Sequence, residues 1–134
     1  MPSNPKNWTM WIERAKQSLN FLKIPYPESY DLNYEDLCFH AQQSAEKALK
    51  GFLVYFNVEP IKTHNLDILL KELSKYIVLD DKLFDVQNLS DYAVKFRYPD
   101  DYIQISVDEY NKSFEIANYC LTWVIDQIKK LEEK

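Results

Sequence analysis

One short segment of the chain combines residue types that recognise phosphate and nucleobases. Residues 95–102 read KFRYPDDY and hold Arg97, one of two arginines in the sequence. A guanidinium suits bidentate contacts with phosphate or carboxylate, and Tyr98 and Tyr102 could stack on bases. The two intervening aspartates argue against a simple phosphate cradle. The alternative is that Arg97 pairs with a carboxylate such as Glu46 and fixes the loop.

Two polar residues interrupt the apolar arc of the second predicted helix. Gln42 falls between Leu49 and Leu53 on the helical wheel, and a glutamine placed there must find hydrogen-bond partners. Glu46 lies one turn further along. It could form an ordinary i, i+4 pair with Lys50. Alternatively, Gln42 and Glu46 could orient a basic residue from another helix, for which Arg97 is the proposed partner.

His64 lies in the stretch Lys62-Thr63-His64-Asn65-Leu66, where the third helix is predicted to begin. One interpretation is structural, with the ring bonded to a backbone carbonyl. A second is anion binding, since a helix N-terminus presents free amides and Lys62 adds a positive charge. A third is catalysis, because an imidazole can act as acid or base near neutral pH. Nothing in the sequence pairs His64 with a nucleophile.

Apolar residues at helical spacing predict the elements that position these side chains. The 134 residues include a single glycine, which excludes the glycine-rich nucleotide-binding motifs and disfavours an all-β fold. We expect a single all-α domain over residues 1–134, an antiparallel up-and-down bundle of four to five helices. The predicted helices are Lys6–Lys23, Asn33–Asn57, one beginning near Thr63 or Asn65, Asp81–Lys95, and a last one capped at Ser106 and ending near Leu131.

The packing of two predicted helices carries further expectations. In the fourth helix, Val86, Leu89, Ala93 and Phe96 should point inward. The fifth helix carries a second apolar set about half a turn from its core stripe, formed by Ile116, Tyr119 and Trp123. This set is either buried under the N-terminal helix or forms a homodimer interface, and we expect the homodimer.

Charge and cysteine content narrow the class of protein. The net charge of −5 is unlike that of a domain that coats duplex DNA or an anionic membrane. No apolar run approaches the roughly 20 residues that span a bilayer, and the N-terminus does not resemble a signal peptide. We therefore expect a cytoplasmic protein. Cys38 and Cys120 should be buried and reduced, with no metal site and no cofactor.

Three stretches together resemble the HEPN domain family (higher eukaryotes and prokaryotes nucleotide-binding), of the prokaryotic stand-alone type. They are HAQQSAEKALK at residues 40–50, THNL at residues 63–66, and Tyr92 through Pro99 followed by a long final helix. The resemblance extends from about Trp8 to Leu131. It implies a homodimeric bundle of four to five helices. In prokaryotes such domains are often encoded beside a minimal nucleotidyltransferase, in toxin–antitoxin-like pairs.

The resemblance also implies a possible activity, because many members of the family are metal-independent RNases. Their catalytic motif is an arginine followed, after four to six residues, by a histidine. Arg97 matches the arginine, whereas Tyr102, Ile103 and Gln104 stand where the histidine should fall. The motif is therefore incomplete, and enzymatic activity is left open. The resemblance favours a nucleotide- or RNA-binding module, with Arg97 on a phosphate. Its expected ligand-binding residues are Gln42, Glu46, Lys47, Tyr98 and Tyr102, with His64 beside them.

Two other classes of function compete with this one. The first is a metal-independent RNase in which Arg97 works with His64 or His40. The second is a helical adaptor that binds only protein.

Overall fold

The computed structural model describes residues 7–23, 34–93 and 105–134. These ranges contain helices and no strand, which confirms the predicted all-α bundle. The first predicted helix is α1 (Asn7–Asn20), continued by a 3₁₀ turn (Phe21–Lys23). None of the helices in these ranges is long and apolar enough to cross a membrane. The remaining elements are α2 (Tyr34–Tyr55), α3 (Leu66–Leu73), a 3₁₀ helix (Asp81–Ala93) and α4 (Val107–Glu132).

Helix α2 is the centre of the bundle, because α1, α3, the 3₁₀ helix and α4 all pack against it. Its second half supplies Leu49, Phe52 and Leu53, which are completely buried. Burying one such side chain stabilises a fold by roughly 1.5–3 kcal/mol. Burial of these side chains therefore fixes the rotation of α2 about its own axis. This rotation in turn fixes the directions in which the polar side chains of α2 point.

The end of α2 turns the chain back towards α3. Asn57 adopts the left-handed conformation, with φ 62°. Its amide donates to the Val54 carbonyl at 2.8 Å, and the Val58 amide donates to the Leu53 carbonyl at 3.0 Å. This pair of bonds is the Schellman arrangement, which satisfies the last carbonyls of a helix. The turn directs residues 58–65 back along the side of α2.

Side-chain caps define the starts of α3 and α4. Of the two candidate caps for α3, the structure selects Asn65, whose Oδ1 accepts from the amides of Asp67 at 2.9 Å and Ile68 at 3.4 Å. Ser106 caps α4 as predicted, accepting from the Glu109 amide at 3.1 Å. Both starts were readable from sequence because a cap depends on residues only two or three positions apart.

The fourth predicted helix is a 3₁₀ helix rather than an α-helix. Leu83, Val86 and Leu89 are all buried, and they recur every three residues. A helix with three residues per turn aligns such a set on one face, whereas 3.6 residues per turn would rotate it away from the core. The inward positions of Val86 and Leu89 are confirmed. Phe96 and the side chain of Ala93 lie outside the described part of the chain.

Gly51 sets the closeness of α1 to α2. A Cβ added at this position would lie 2.9 Å from Trp11 Cβ and 3.1 Å from Ile12 Cδ1. The side-chain hydroxyl of Ser44, two turns earlier on α2, donates to the Ala15 carbonyl of α1 at 2.9 Å. Together these contacts show that the two helices run antiparallel and pack closely at Gly51.

We predict that Gly51→Ala destabilises the protein, although alanine is the better helix former by about 1 kcal/mol. The added methyl group collides with the Cβ of Trp11, which cannot move without α1. Overpacking of this kind costs about 1–3 kcal/mol, so a net loss of about 1 kcal/mol is expected in urea unfolding. Thr122→Ala, at an exposed position of α4, is the control and should be neutral or slightly stabilising. A more stable Gly51→Ala variant would show that the contact is not tight.

Candidate functional site

A buried carboxylate joins α2 to the segment that precedes α3. Glu46 is 5% exposed. Its Oε1 accepts from Gln42 Nε2 at 2.9 Å and lies 2.7 Å from His64 Nδ1, and its Oε2 accepts from Lys50 Nζ at 3.0 Å. We refer to Gln42, Glu46, Lys50 and His64 as the Glu46 network. Three donors from two parts of the chain thus converge on one carboxylate.

The protonation state of Glu46 follows from these contacts. Burial raises the pKa of this carboxyl, but hydrogen bonds from Gln42, His64 and Lys50 and the positive charge of Lys50 outweigh burial. The pKa therefore lies below its usual value, and the group is ionised at neutral pH. An ionised carboxylate can only accept hydrogen bonds, so the proton between Glu46 and His64 is carried by Nδ1.

Gln42 completes the network and is fully buried. Besides Glu46, its Nε2 donates to the His64 carbonyl at 3.3 Å, and its Oε1 accepts from Gln43 Nε2 at 2.7 Å. The structure thus shows both the i, i+4 pair of Glu46 with Lys50 and a basic partner from outside α2. That partner is His64. The proposed partner, Arg97, lies outside the described residues, as do Tyr98 and Tyr102.

His64 presents one nitrogen to solvent while the other is held. Its side chain is 67% exposed. With Nδ1 bound to Glu46, the nitrogen available to an external group is Nε2. A carboxylate that fixes the tautomer and orientation of an imidazole is the usual arrangement behind acid–base histidines. In the described ranges no hydroxyl or thiol is hydrogen-bonded to His64, so the geometry suits an external substrate better than an internal nucleophile.

The amides at the start of α3 are already occupied. The Leu66 amide donates to Ser90 Oγ at 3.2 Å, and Asn65 Oδ1 accepts from the next two amides. The interpretation of this helix N-terminus as an anion site is therefore not supported by its hydrogen bonds. His64 has a different structural role from the one expected, since its ring is bonded to a carboxylate and not to a backbone carbonyl.

Lys47 lies on the side of α2 that faces α1. Its Nζ donates to Ser18 Oγ at 3.3 Å. Burial lowers the pKa of Lys47, the positive charge of Arg14 lowers it further, and Glu46 acts in the opposite direction. Arg14 and Ser18 were not among the predicted site residues. The signal available in the sequence was their i, i+4 spacing on the polar flank of α1.

The predicted dimer-interface residues all make contacts within the chain. They are Ile116, Tyr119 and Trp123, each half-buried. Trp123 packs edge-on against Phe52, with ring centroids 5.6 Å apart. The hydroxyl of Tyr119 donates to Asp80, and Lys82 Nζ lies 4.6 Å from the Tyr119 ring centroid. The start of the 3₁₀ helix therefore contacts this set. Its contribution to a homodimer stays a prediction.

Cys38 and Cys120 are buried and free, as predicted. Burial raises the pKa of both thiols, to about 12 for Cys120. The thiolate is the nucleophilic form, so neither group is suited to catalysis. Among the described residues no group of three or more histidine, cysteine or acidic side chains could hold a metal ion. His40, the other histidine, stacks on Phe21 with ring centroids 4.5 Å apart.

Comparison with known proteins identifies the family. The HEPN domain matches residues 8–131, so the chain belongs to the HEPN domain family, which confirms the resemblance seen in the sequence. The crystal structure of TT1696 from Thermus thermophilus is 26% identical, with a TM-score of 0.76, and the match covers 90% of this chain and 97% of that one. ST0689, an archaeal HEPN homologue, is also 26% identical with the same coverage and a TM-score of 0.67. No curated protein matches the chain.

We predict that Glu46→Gln lowers the free energy of unfolding by about 3 kcal/mol at neutral pH, because the buried Lys50 ammonium loses its anionic partner. Urea unfolding measures the change. Glu72→Gln is the matched control. It breaks a comparable ion pair with Lys75 at 2.8 Å, but there the lysine side chain is 64% exposed. The control should have a much smaller effect, because solvent screens an exposed pair.

The pH dependence of stability in the wild type and in Glu46→Gln gives a second test of the Glu46 network. The pKa of Glu46 is lower in the folded chain than in the unfolded chain, so the network stabilises the fold above the usual carboxyl range. That contribution is lost as the pH falls through the folded pKa. The difference in stability between wild type and Glu46→Gln should therefore shrink on acidification. A difference that stays constant at acidic pH would contradict this assignment.

Proposed function

We propose that this HEPN domain is a nucleotide- or RNA-binding module that acts with a minimal nucleotidyltransferase in a toxin–antitoxin-like or defence pair. The observation that carries the binding part is the exposed imidazole of His64, fixed by the buried carboxylate of Glu46. The partner part rests on the family, whose prokaryotic members are often encoded beside such enzymes. The homodimer and the cytoplasmic location belong to the same proposal.

The Glu46 network suits phosphate recognition for two reasons. Its carboxylate is satisfied by internal donors, so its negative charge is neutralised by Lys50 and by hydrogen bonds before any ligand arrives. The remaining His64 nitrogen can then donate to a phosphate oxygen when the ring is protonated. Arg97 would supply the bidentate contact, and Tyr98 and Tyr102 would stack on bases.

A metal-independent RNase is the second candidate, and the same carboxylate–imidazole pair favours it. In such an enzyme His64 would exchange a proton with the attacking or leaving oxygen of the RNA backbone. Arg97 would stabilise the negative charge that develops on the phosphate oxygens in the transition state. This assignment replaces the motif histidine, absent from positions 102–104, with one from another part of the chain.

Two measurements with EDTA present test both candidates: the binding of ATP and of a labelled single-stranded RNA, and the cleavage of that RNA. We expect the wild type to bind, and Arg97→Ala and His64→Ala each to raise Kd about tenfold, equivalent to about 1.4 kcal/mol. Lys71→Ala is the control for loss of one surface charge, since Lys71 pairs with Asp67 on the exposed side of α3.

The outcomes separate the three classes of function. Binding without cleavage supports the binding module. Cleavage that both Arg97→Ala and His64→Ala abolish supports the RNase. If the wild type binds neither nucleotide nor RNA, the proposal fails and a protein-binding adaptor becomes the better account.

A further inference from the structure

A groove runs beside α1, on the same face of α2 as Lys50. It has a volume of about 310 Å³ and lies between the start of α1 and the segment that links α2 to α3. Small-molecule sites begin at roughly this size, which suits one nucleotide. Its lining includes Asn7, Trp11, Lys50, Val54, Glu59 and Lys62. We call it the α1 groove.

Trp11 is the aromatic wall of the α1 groove. It is half-buried, and no ring within the described ranges packs against it. The other two tryptophans differ, because Trp8 packs on Tyr55 with centroids 5.6 Å apart and Trp123 packs on Phe52. An indole with no stacking partner among the described rings, at the side of a groove, is a platform for a base, whose face stacks on it with little sequence preference.

The seam between α1 and α2, next to the α1 groove, carries two further cations, Arg14 and Lys47. The antiparallel contacts at Gly51 and Ser44 place Lys47 about one turn from Lys50 and beside Ser18, close enough to Arg14 for the two positive charges to repel. Neither Arg14 nor Lys47 forms an ion pair with a carboxylate in the part of the chain that the structure describes. Two neighbouring cations that have no ion-pair partner among the described residues, in a chain of net charge −5, indicate an anion site.

The acidic groups near the seam do not cancel this charge. Glu46 is turned inward and holds Lys50 and His64. Glu13 pairs with Lys16 at 3.5 Å on the exposed side of α1. Glu59 lines the groove itself, where a carboxylate can accept hydrogen bonds from ribose hydroxyls.

We propose that the α1 groove binds one nucleotide unit, with the base stacked on Trp11 and a phosphate between Arg14 and Lys47. The two positions on α1 are three residues apart, a rise of about 4.5 Å, so one nucleotide can reach both. This inference rests on the proposed function and assigns nucleotide binding to residues of α1 and α2. The unit can be a free nucleotide or one residue of a single-stranded RNA, which share this chemistry.

The test measures Kd for ATP and for a six-residue single-stranded RNA by titration calorimetry. The variants are Trp11→Leu, Trp11→Phe, the double variant Arg14→Gln with Lys47→Gln, Arg97→Ala, and Lys16→Gln as the charge control. We expect Trp11→Leu to weaken binding about tenfold, with Trp11→Phe restoring most of it because a benzene ring still stacks. The double variant should weaken binding about tenfold or more. It should also reduce the salt dependence of RNA binding by the slope of about one phosphate contact, since both cations face the same phosphate. Lys16→Gln should bind like wild type.

Each outcome decides the proposal. Losses for both ligands support a free-nucleotide site, and losses confined to the RNA support a site for one residue of an RNA strand. Wild-type affinity in Trp11→Leu and in the double variant, with a loss in Arg97→Ala, overturns the α1 groove and leaves the proposed function standing. No binding by the wild type overturns both. Circular dichroism melts identify a variant that fails to fold, and Trp11→Phe and the double variant then decide the proposal.

Discussion

The buried carboxylate of Glu46 is the constraint on which the site depends. Removing such an ion from water costs several kcal/mol, and the cost is offset only when donors surround it. Here the donors come from one turn before, one turn after, and the segment that precedes α3. The network therefore fixes the position of residues 62–65 against α2. It also sets the tautomer of His64 and the direction of its free nitrogen.

The second constraint is the closeness of α1 and α2. With only hydrogen at Gly51, the backbone of α1 approaches α2 near Trp8 and Trp11. This contact sets the width of the seam that carries Arg14 and Lys47, and it positions the indole of Trp11 at the α1 groove. Gly51 thus determines both the helix packing and the shape of the candidate binding surface. Its helix propensity is poor, but its small size is required at this contact.

Local features of this fold could be predicted from sequence, and features that depend on tertiary contacts could not. The caps at Asn65 and Ser106 and the burial of Cys38 follow from residues near in sequence. The need of Gln42 and Glu46 for partners was predictable, because polar groups in an apolar arc must be satisfied. Their partner was not, since His64 is 18 residues from Glu46 and reaches it only through the turn at Asn57. The three-residue repeat from Leu83 to Leu89 was present in the sequence, but an α-helical period was assumed for it.

The most direct test of the Glu46 network is the tautomer of His64, measured by nitrogen-15 NMR correlation of the imidazole nitrogens. The chain has two histidines, so a His40→Gln variant assigns the signals. At a pH where the imidazole is neutral, we predict that His64 carries its proton on Nδ1, held by Glu46, and that Glu46→Gln weakens this preference. A His64 protonated on Nε2 in the wild type would contradict the assignment, because the nitrogen facing the carboxylate would then lack a hydrogen.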